Sequence, residues 1–247
     1  MYVIRELEDA IYDCDTKCKI GECNDDSAVH ALDEAVAFYY GCDDNFLHSL
    51  ANKRCINFGT CAGDDAVEGD AVVNAKVFDL FGQMQTHLQR GECDKARPLV
   101  GDVATQIWIP LIQGTLRYAW ILDTTNNPGG LVTEKSQAEG AIFAAGVLPI
   151  IHACDSQAAT TIYENMKIAS TVSVDFPAVK NAFESCYSDI GITCADVGGV
   201  VNNAGTEYDS SLTRPCGGVN NLGSSASSVA IGSLLGASIM AAVAFLV

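Results

Sequence analysis

Basic residues are scarce. The 247-residue chain carries 14 Lys plus Arg against 31 Asp plus Glu, for a formal net charge of −17. Phosphate recognition draws on a basic surface, so a nucleic-acid partner is not expected. The acidity suits attraction of metal cations, and it equally serves plain solubility. Charged residues of either sign make up only 18% of the chain against 49% hydrophobic, which is too apolar for disorder and ample for a core. Period-two alternation is rare, so strands are expected to be few. There is no CxxC pair and no close Cys/His cluster of the zinc kind. A GxSxG elbow, an HExxH helix and a GxxxxGK(S/T) loop are all missing, and His48, His87 and His152 belong to no such motif. No enzymatic activity is expected. N-x-S/T sequons are absent too, so N-glycosylation lends no support to any location.

Cysteine, by contrast, is plentiful. Eleven are scattered through the chain: Cys14, Cys18, Cys23, Cys42, Cys55, Cys61, Cys93, Cys154, Cys186, Cys194 and Cys216. The pattern reads as a disulfide framework built in an oxidising compartment. Cys55 with Cys61 and Cys186 with Cys194 are the local candidates, and the odd number leaves one thiol over or one partner outside the chain. The opening stretch, MYVIRELEDAIYDC, is an amphipathic helix and not a basic start followed by an apolar run. A signal segment ahead of Met1, in a longer precursor, is therefore expected. At the other end, the small polar stretch NNLGSSASS leads into VAIGSLLGASIMAAVAFLV, uncharged to Val247. That is the pattern of a GPI-anchor signal, with attachment near Asn221, Gly223 or Ser224, and a single membrane span is the alternative. Either places the protein extracellularly or in a periplasm, anchored at a cell surface through a membrane.

Helical periodicity dominates between the ends. Helices are predicted near residues 3–20, 27–40, 68–90, 99–123, 134–153, 156–168 and 176–188, separated by the turn-rich stretches KIGECNDD, CINFGTCAGDD, TTNNPGG and DIGITCADVGG. The expected fold is an all-α, disulfide-stapled helical bundle over residues 1–219, with a tail at 220–247. ALDEAVAFYYG lies over SQAEGAIFAAG so that Glu34 meets Glu139, Phe38 meets Phe143 and Gly41 meets Gly146. This echo suggests two weakly related halves, about 1–123 and 131–199, facing each other across a junction at 124–130.

Three groups of polar residues sit awkwardly in apolar helices. In SAVHALDEAVAFYY one turn spans about 3.6 residues, so His30, Asp33 and Glu34 share a stripe flanked by apolar positions. A buried carboxylate needs a cation, a donor or a proton. The stripe is either a metal or anion-coupled site, with Tyr39 or Tyr40 near, or a helix edge with a structural ion pair. Glu139 is followed by GAIFAAGVLPII, without another charge. Arg117 shares a polar stripe with Gln106 and Gln113 on an otherwise apolar helix. It either pairs with Glu34 or Glu139, holding the bundle in register, or binds an anion beside a metal.

Five blocks in order, LDEAVAFYYG, LANKRCINFGTC, IPLIQGTLRYAW, EKSQAEGAIFAAGVLPIIHAC and GITCADVGG, together resemble one family over residues 27 to 199. It is the algal Fe-assimilation family of low-iron-inducible periplasmic, or high-carbon-dioxide-inducible, proteins, to which phytotransferrins are related. The resemblance implies a non-catalytic protein that assists iron uptake under iron limitation, working with uptake machinery at the cell surface. Its cargo would be ferric iron, Fe3+, with carbonate as the accompanying anion. Ferric iron is a hard cation that favours carboxylate and phenolate oxygens. Asp33, Glu34, Tyr39, Tyr40, Tyr118 and Glu139 offer these, His30 is a further candidate ligand, and Arg117 is the candidate for the anion. HALDEAVAFYYG is also similar to the metal helix of imelysin-like proteins, with His30 and Asp33 at the motif positions but Ala28 where that motif has glycine. A metallopeptidase of that kind and a structural surface protein with buried ion pairs are the competing readings.

Overall fold

The computed structural model describes residues 2–23, 25–42, 46–62, 70–170, 172–202 and 207–216. The expected tail at 220–247, with its attachment positions, lies outside them. The fold is all-α: α1 (Tyr2–Lys17), α2 (Ser27–Tyr40), α3 (Leu47–Phe58), α4 (Val72–Gln89), α5 (Cys93–Leu122), α6 (Glu134–Cys154), α7 (Ser156–Met166), α8 (Phe176–Glu184) and α9 (Cys194–Val197). Among the described residues β structure is limited to isolated bridges, such as Lys19 with Glu22.

The expected helices form close to their predicted places, and α3 and the one-turn α9 are additions. LHSLANKRCINF carries Ala51, Arg54, Cys55 and Phe58 on one buried stripe, with Gly59 stopping the helix in a left-handed conformation at φ 66°. Local chemistry starts several of the others. Thr133 and Ser136 form a capping box on α6, and the Asp155 carboxylate accepts from the Gln157 and Ala158 amides of α7. The 30-residue α5 is buried on all sides over its middle, from Ile109 to Leu116 apart from Leu111, because it is the centre of the molecule. It packs against α1, α3, α4, α6, α8 and α9, while α1 lies on α2.

Two of the polar α5 residues tie this centre to its surroundings. Gln113, 2% exposed, donates to Thr60 Oγ1 at 3.1 Å and to the Val197 carbonyl at 2.8 Å. Asp123, fully buried at the end of α5, accepts from the amides of Thr125, Asn126 and Phe176.

Ten of the eleven cysteines pair: Cys14–Cys93, Cys18–Cys23, Cys55–Cys61, Cys154–Cys186 and Cys194–Cys216. The Cys55–Cys61 expectation holds. The Cys186–Cys194 expectation does not. Cys186 follows α8, which packs on α7, and α7 begins two residues after Cys154, so the two thiols meet; Cys194 instead fastens the last described segment at Cys216. The thiol left over is the exposed Cys42. Multiple disulfides of this kind fit an oxidising environment.

Positions matched by the internal echo occupy different settings. Phe38 is exposed and stacks on Tyr2, whereas Phe143 is half-buried and stacks on Tyr118. Gly41 terminates α2, whereas Gly146 lies inside α6.

Candidate functional site

The eight candidate residues fall in three separate places. The first is the outer side of α2. The face α2 buries is its alanine stripe, Ala28, Ala31, Leu32, Ala35 and Tyr39, which lets it lie close on α1. At about 100° per residue, His30, Asp33 and Glu34 point to the opposite side of the helix. All three are exposed, so of the two readings of this stripe the helix edge describes its setting and the buried arrangement does not form. His30 Nε2 lies 3.5 Å from Glu34 Oε1, with the two side chains 74% and 50% exposed. They border an open acidic groove with Glu6, Asp9, Asp13 and Asp26. No three His, Cys, Asp or Glu among the described residues converge as a metal centre would require.

The second place is the end of α2. Tyr39 is fully buried and donates to Asn74 Oδ1 at 2.6 Å. Asn74 in turn donates to the His48 carbonyl and to Asn52 Oδ1. Burial, helped by the neighbouring Tyr40, pushes the Tyr39 phenol well above its ordinary range, so it serves the core as a neutral donor. Tyr40 stacks on His48 with ring centroids 4.6 Å apart.

The third place is where α3, α5 and α6 meet, and it is built by glycine. A Cβ on Gly114 would sit 2.6 Å from the Phe143 ring, and one on Gly140 would sit 3.0 Å from Tyr118 Cβ. Their absence allows α5 and α6 to approach, so that Tyr118 stacks on Phe143 at 5.8 Å and 13°. The Tyr118 hydroxyl donates to Glu139 Oε2. Lys135 Nζ lies 3.8 Å from the other Glu139 oxygen, and the Glu139 side chain is 38% exposed. Burial first, then the hydrogen bond and charge of Glu139, raise the Tyr118 pKa, while Arg54 and Arg117 oppose that rise. Arg117 is the α5 cation of this group. With the Asn57 amide oriented so that donors meet acceptors, Arg117 Nη1 donates to Asn57 Oδ1 at 3.2 Å. The expected ion pair of Arg117 with Glu34 or Glu139 does not form among the described residues.

Sequence reasoning missed the fourth member, Arg54. It is only 9% exposed, and its Nε and Nη1 have no hydrogen-bond partner. Its guanidinium carbon lies 5.8 Å from the centre of the Phe143 ring. Burial first, and then the charge of Arg117, lower its pKa, with Tyr118 and Glu139 acting the other way. A signal was present in the sequence: Ala51, Cys55 and Phe58 repeat at helical spacing, and Arg54 falls on the same stripe. A charge at a core position of an amphipathic helix calls for a countercharge.

Fold and site together define a class: a disulfide-stapled, all-α protein holding a phenol–carboxylate pair beside two arginines. Comparison with protein families, characterised proteins and solved structures finds no match.

Proposed function

We propose that the protein binds ferric iron at the Tyr118–Glu139 pair, with an anion held by Arg117, and assists iron uptake at a cell surface. The observation that carries this reading is the contact between the Tyr118 hydroxyl and the Glu139 carboxylate beside Arg117. A phenolate and a carboxylate are hard oxygen donors of the type ferric iron prefers, and a small anion with water would complete its coordination. The resemblance of five sequence blocks to the Fe-assimilation family supports the same cargo. Surface attachment through the apolar stretch beyond residue 219, and descent from two related halves, belong to this reading. His30, Asp33, Glu34, Tyr39 and Tyr40 lie on α2, outside the pair formed by α5 and α6.

Titration of the purified protein with ferric iron, with and without bicarbonate, tests the proposal. A saturable visible band from tyrosinate-to-iron charge transfer is the expected result, stronger with bicarbonate. Tyr118→Phe abolishes the band. Glu139→Gln weakens affinity by more than about 100-fold, because loss of a direct ligand exceeds the ~10–100-fold cost of disturbing a ligand's outer partners, whereas Glu34→Gln leaves it unchanged. An absence of saturable binding, or a band unaffected by Tyr118→Phe, sinks the reading.

Acid should release the metal. Binding through phenolate displaces the Tyr118 proton, so metal and proton compete. Where that phenol is protonated in the free protein, affinity should drop about tenfold for each pH unit of acidification on this account alone. Equilibrium titrations at a series of pH values measure the slope.

A further inference from the structure

We propose that Arg54 and Arg117 form a site for a small oxyanion, of the carbonate, phosphate or sulfate type, which fills in the absence of metal and has Arg54 as its principal ligand. The proposal deepens the iron reading at its anion but stands on Arg54, and metal-free binding does not depend on iron. Arg54 is nine-tenths buried, and two of its guanidinium nitrogens are unmatched. Unpaired donors on a buried charge are costly, and structures normally satisfy them.

No neighbour does so here. The Phe143 ring face offers a cation–π contact at 5.8 Å and no acceptor atom. Glu139 is engaged by Tyr118 and Lys135, and the Asn57 oxygen by Arg117. Arg117 adds a second positive charge within electrostatic reach of the first. The cluster therefore has surplus positive charge as well as vacant donors. Water would answer the donors but not the charge. An oxyanion answers both, because its oxygens match the planar guanidinium fork. The burial of Arg54 restricts the ligand to a small one.

The experiment uses the full chain, stripped of metal with a chelator, and follows thermal unfolding in carbonate, phosphate, sulfate or chloride at matched pH and ionic strength. At least one oxyanion should raise Tm saturably above chloride, by on the order of 5–10 °C at about 100 times its Kd. Arg54→Met should abolish the rise, and should melt no lower than wild type in chloride, because it removes an unmatched buried charge. Arg117→Met should weaken the anion at least tenfold while leaving some shift. If none of the three oxyanions outperforms chloride, or if the shift survives Arg54→Met, the proposal is overturned. Should Arg54→Met fail to fold, calorimetric titration of wild type and Arg117→Met with whichever of the three oxyanions raises the wild-type Tm most decides: binding that is saturable in the first and weakened in the second supports the site, and any other result overturns it. An oxyanion shift without iron binding defeats the iron reading alone, and iron binding without an oxyanion shift defeats this one alone.

Discussion

Replacing Asp123 by Ala lowers the unfolding free energy by about 3–5 kcal/mol, the range in which loss of a buried hydrogen-bond network falls. The carboxylate is inaccessible to solvent. Its Oδ1 accepts from the Thr125 and Asn126 amides at 3.0 and 2.9 Å, and its Oδ2 from Asn126 Nδ2 and the Phe176 amide at 2.8 and 2.9 Å. One side chain thus ends α5, fixes the turn after it and seats the first residue of α8. Alanine leaves all four donors without this acceptor. Burial by itself would raise the Asp123 pKa, but these hydrogen bonds outweigh it and the net shift is downward. The depressed folded value sets the sign. The stabilisation is fully present above the unfolded-state pKa of about 3.9 and is lost as pH falls through the lower folded value. Urea unfolding of wild type and Asp123→Ala between neutral pH and pH 2 measures both effects. The difference should be largest near neutrality and shrink in acid. A loss below 1 kcal/mol at neutral pH would remove Asp123 from its place as an anchor.

Removing the Cys14–Cys93 bridge should have a comparable effect. The two cysteines are 79 residues apart and join the last turn of α1 to the first residue of α5. Loop-closure entropy for a separation of that size corresponds to about 4.5 kcal/mol of stabilisation. The double substitution Cys14→Ala, Cys93→Ala is expected to lower Tm by on the order of 10–15 °C in a chain of this length. The Cys18–Cys23 bridge spans only 5 residues, and its removal should cost about half as much free energy. Calorimetry of the two double variants in parallel measures the ratio. Equal losses would show that chain entropy is not what the longer bridge supplies.

The helices were legible because their signals are local. Apolar spacing placed the predicted helix at 27–40 on α2 without error, and those at 134–153 and 156–168 within two residues of α6 and α7. The predicted helix at 99–123 began late: α5 starts at Cys93 and carries Pro98 and Pro110 inside it. Besides the one-turn α9 inside DIGITCADVGG, the helix missed altogether was α3. Its sequence ends in CINFGTC, which reads as turn chemistry, and its stripe is broken by the very arginine that gives the site its surplus charge.

Which face a helix buries was less legible. On α2 the apolar positions flanking His30, Asp33 and Glu34 left open a buried polar stripe. Burial followed the small residues instead, since Ala28, Ala31 and Ala35 let α1 approach closely, and His30, Asp33 and Glu34 were turned to solvent. Hydrophobicity alone did not distinguish a wide apolar face from a narrow one that packs closely.

By itself, then, the sequence determined the all-α class and most helix positions, because these depend on residues within a turn or two of one another, and its eleven cysteines announced a disulfide framework. Tertiary structure alone decided that Cys186 pairs with Cys154, that Tyr39 is a core donor, and that Arg54 stands beside Arg117, Tyr118 and Glu139. Each of those outcomes needs separate helices to be docked: the end of α8 against Cys154 of α6, α2 against α4, and α3 against α5 and α6. A contact between residues as far apart as 54 and 143 is fixed by how whole helix faces pack, which no local pattern encodes.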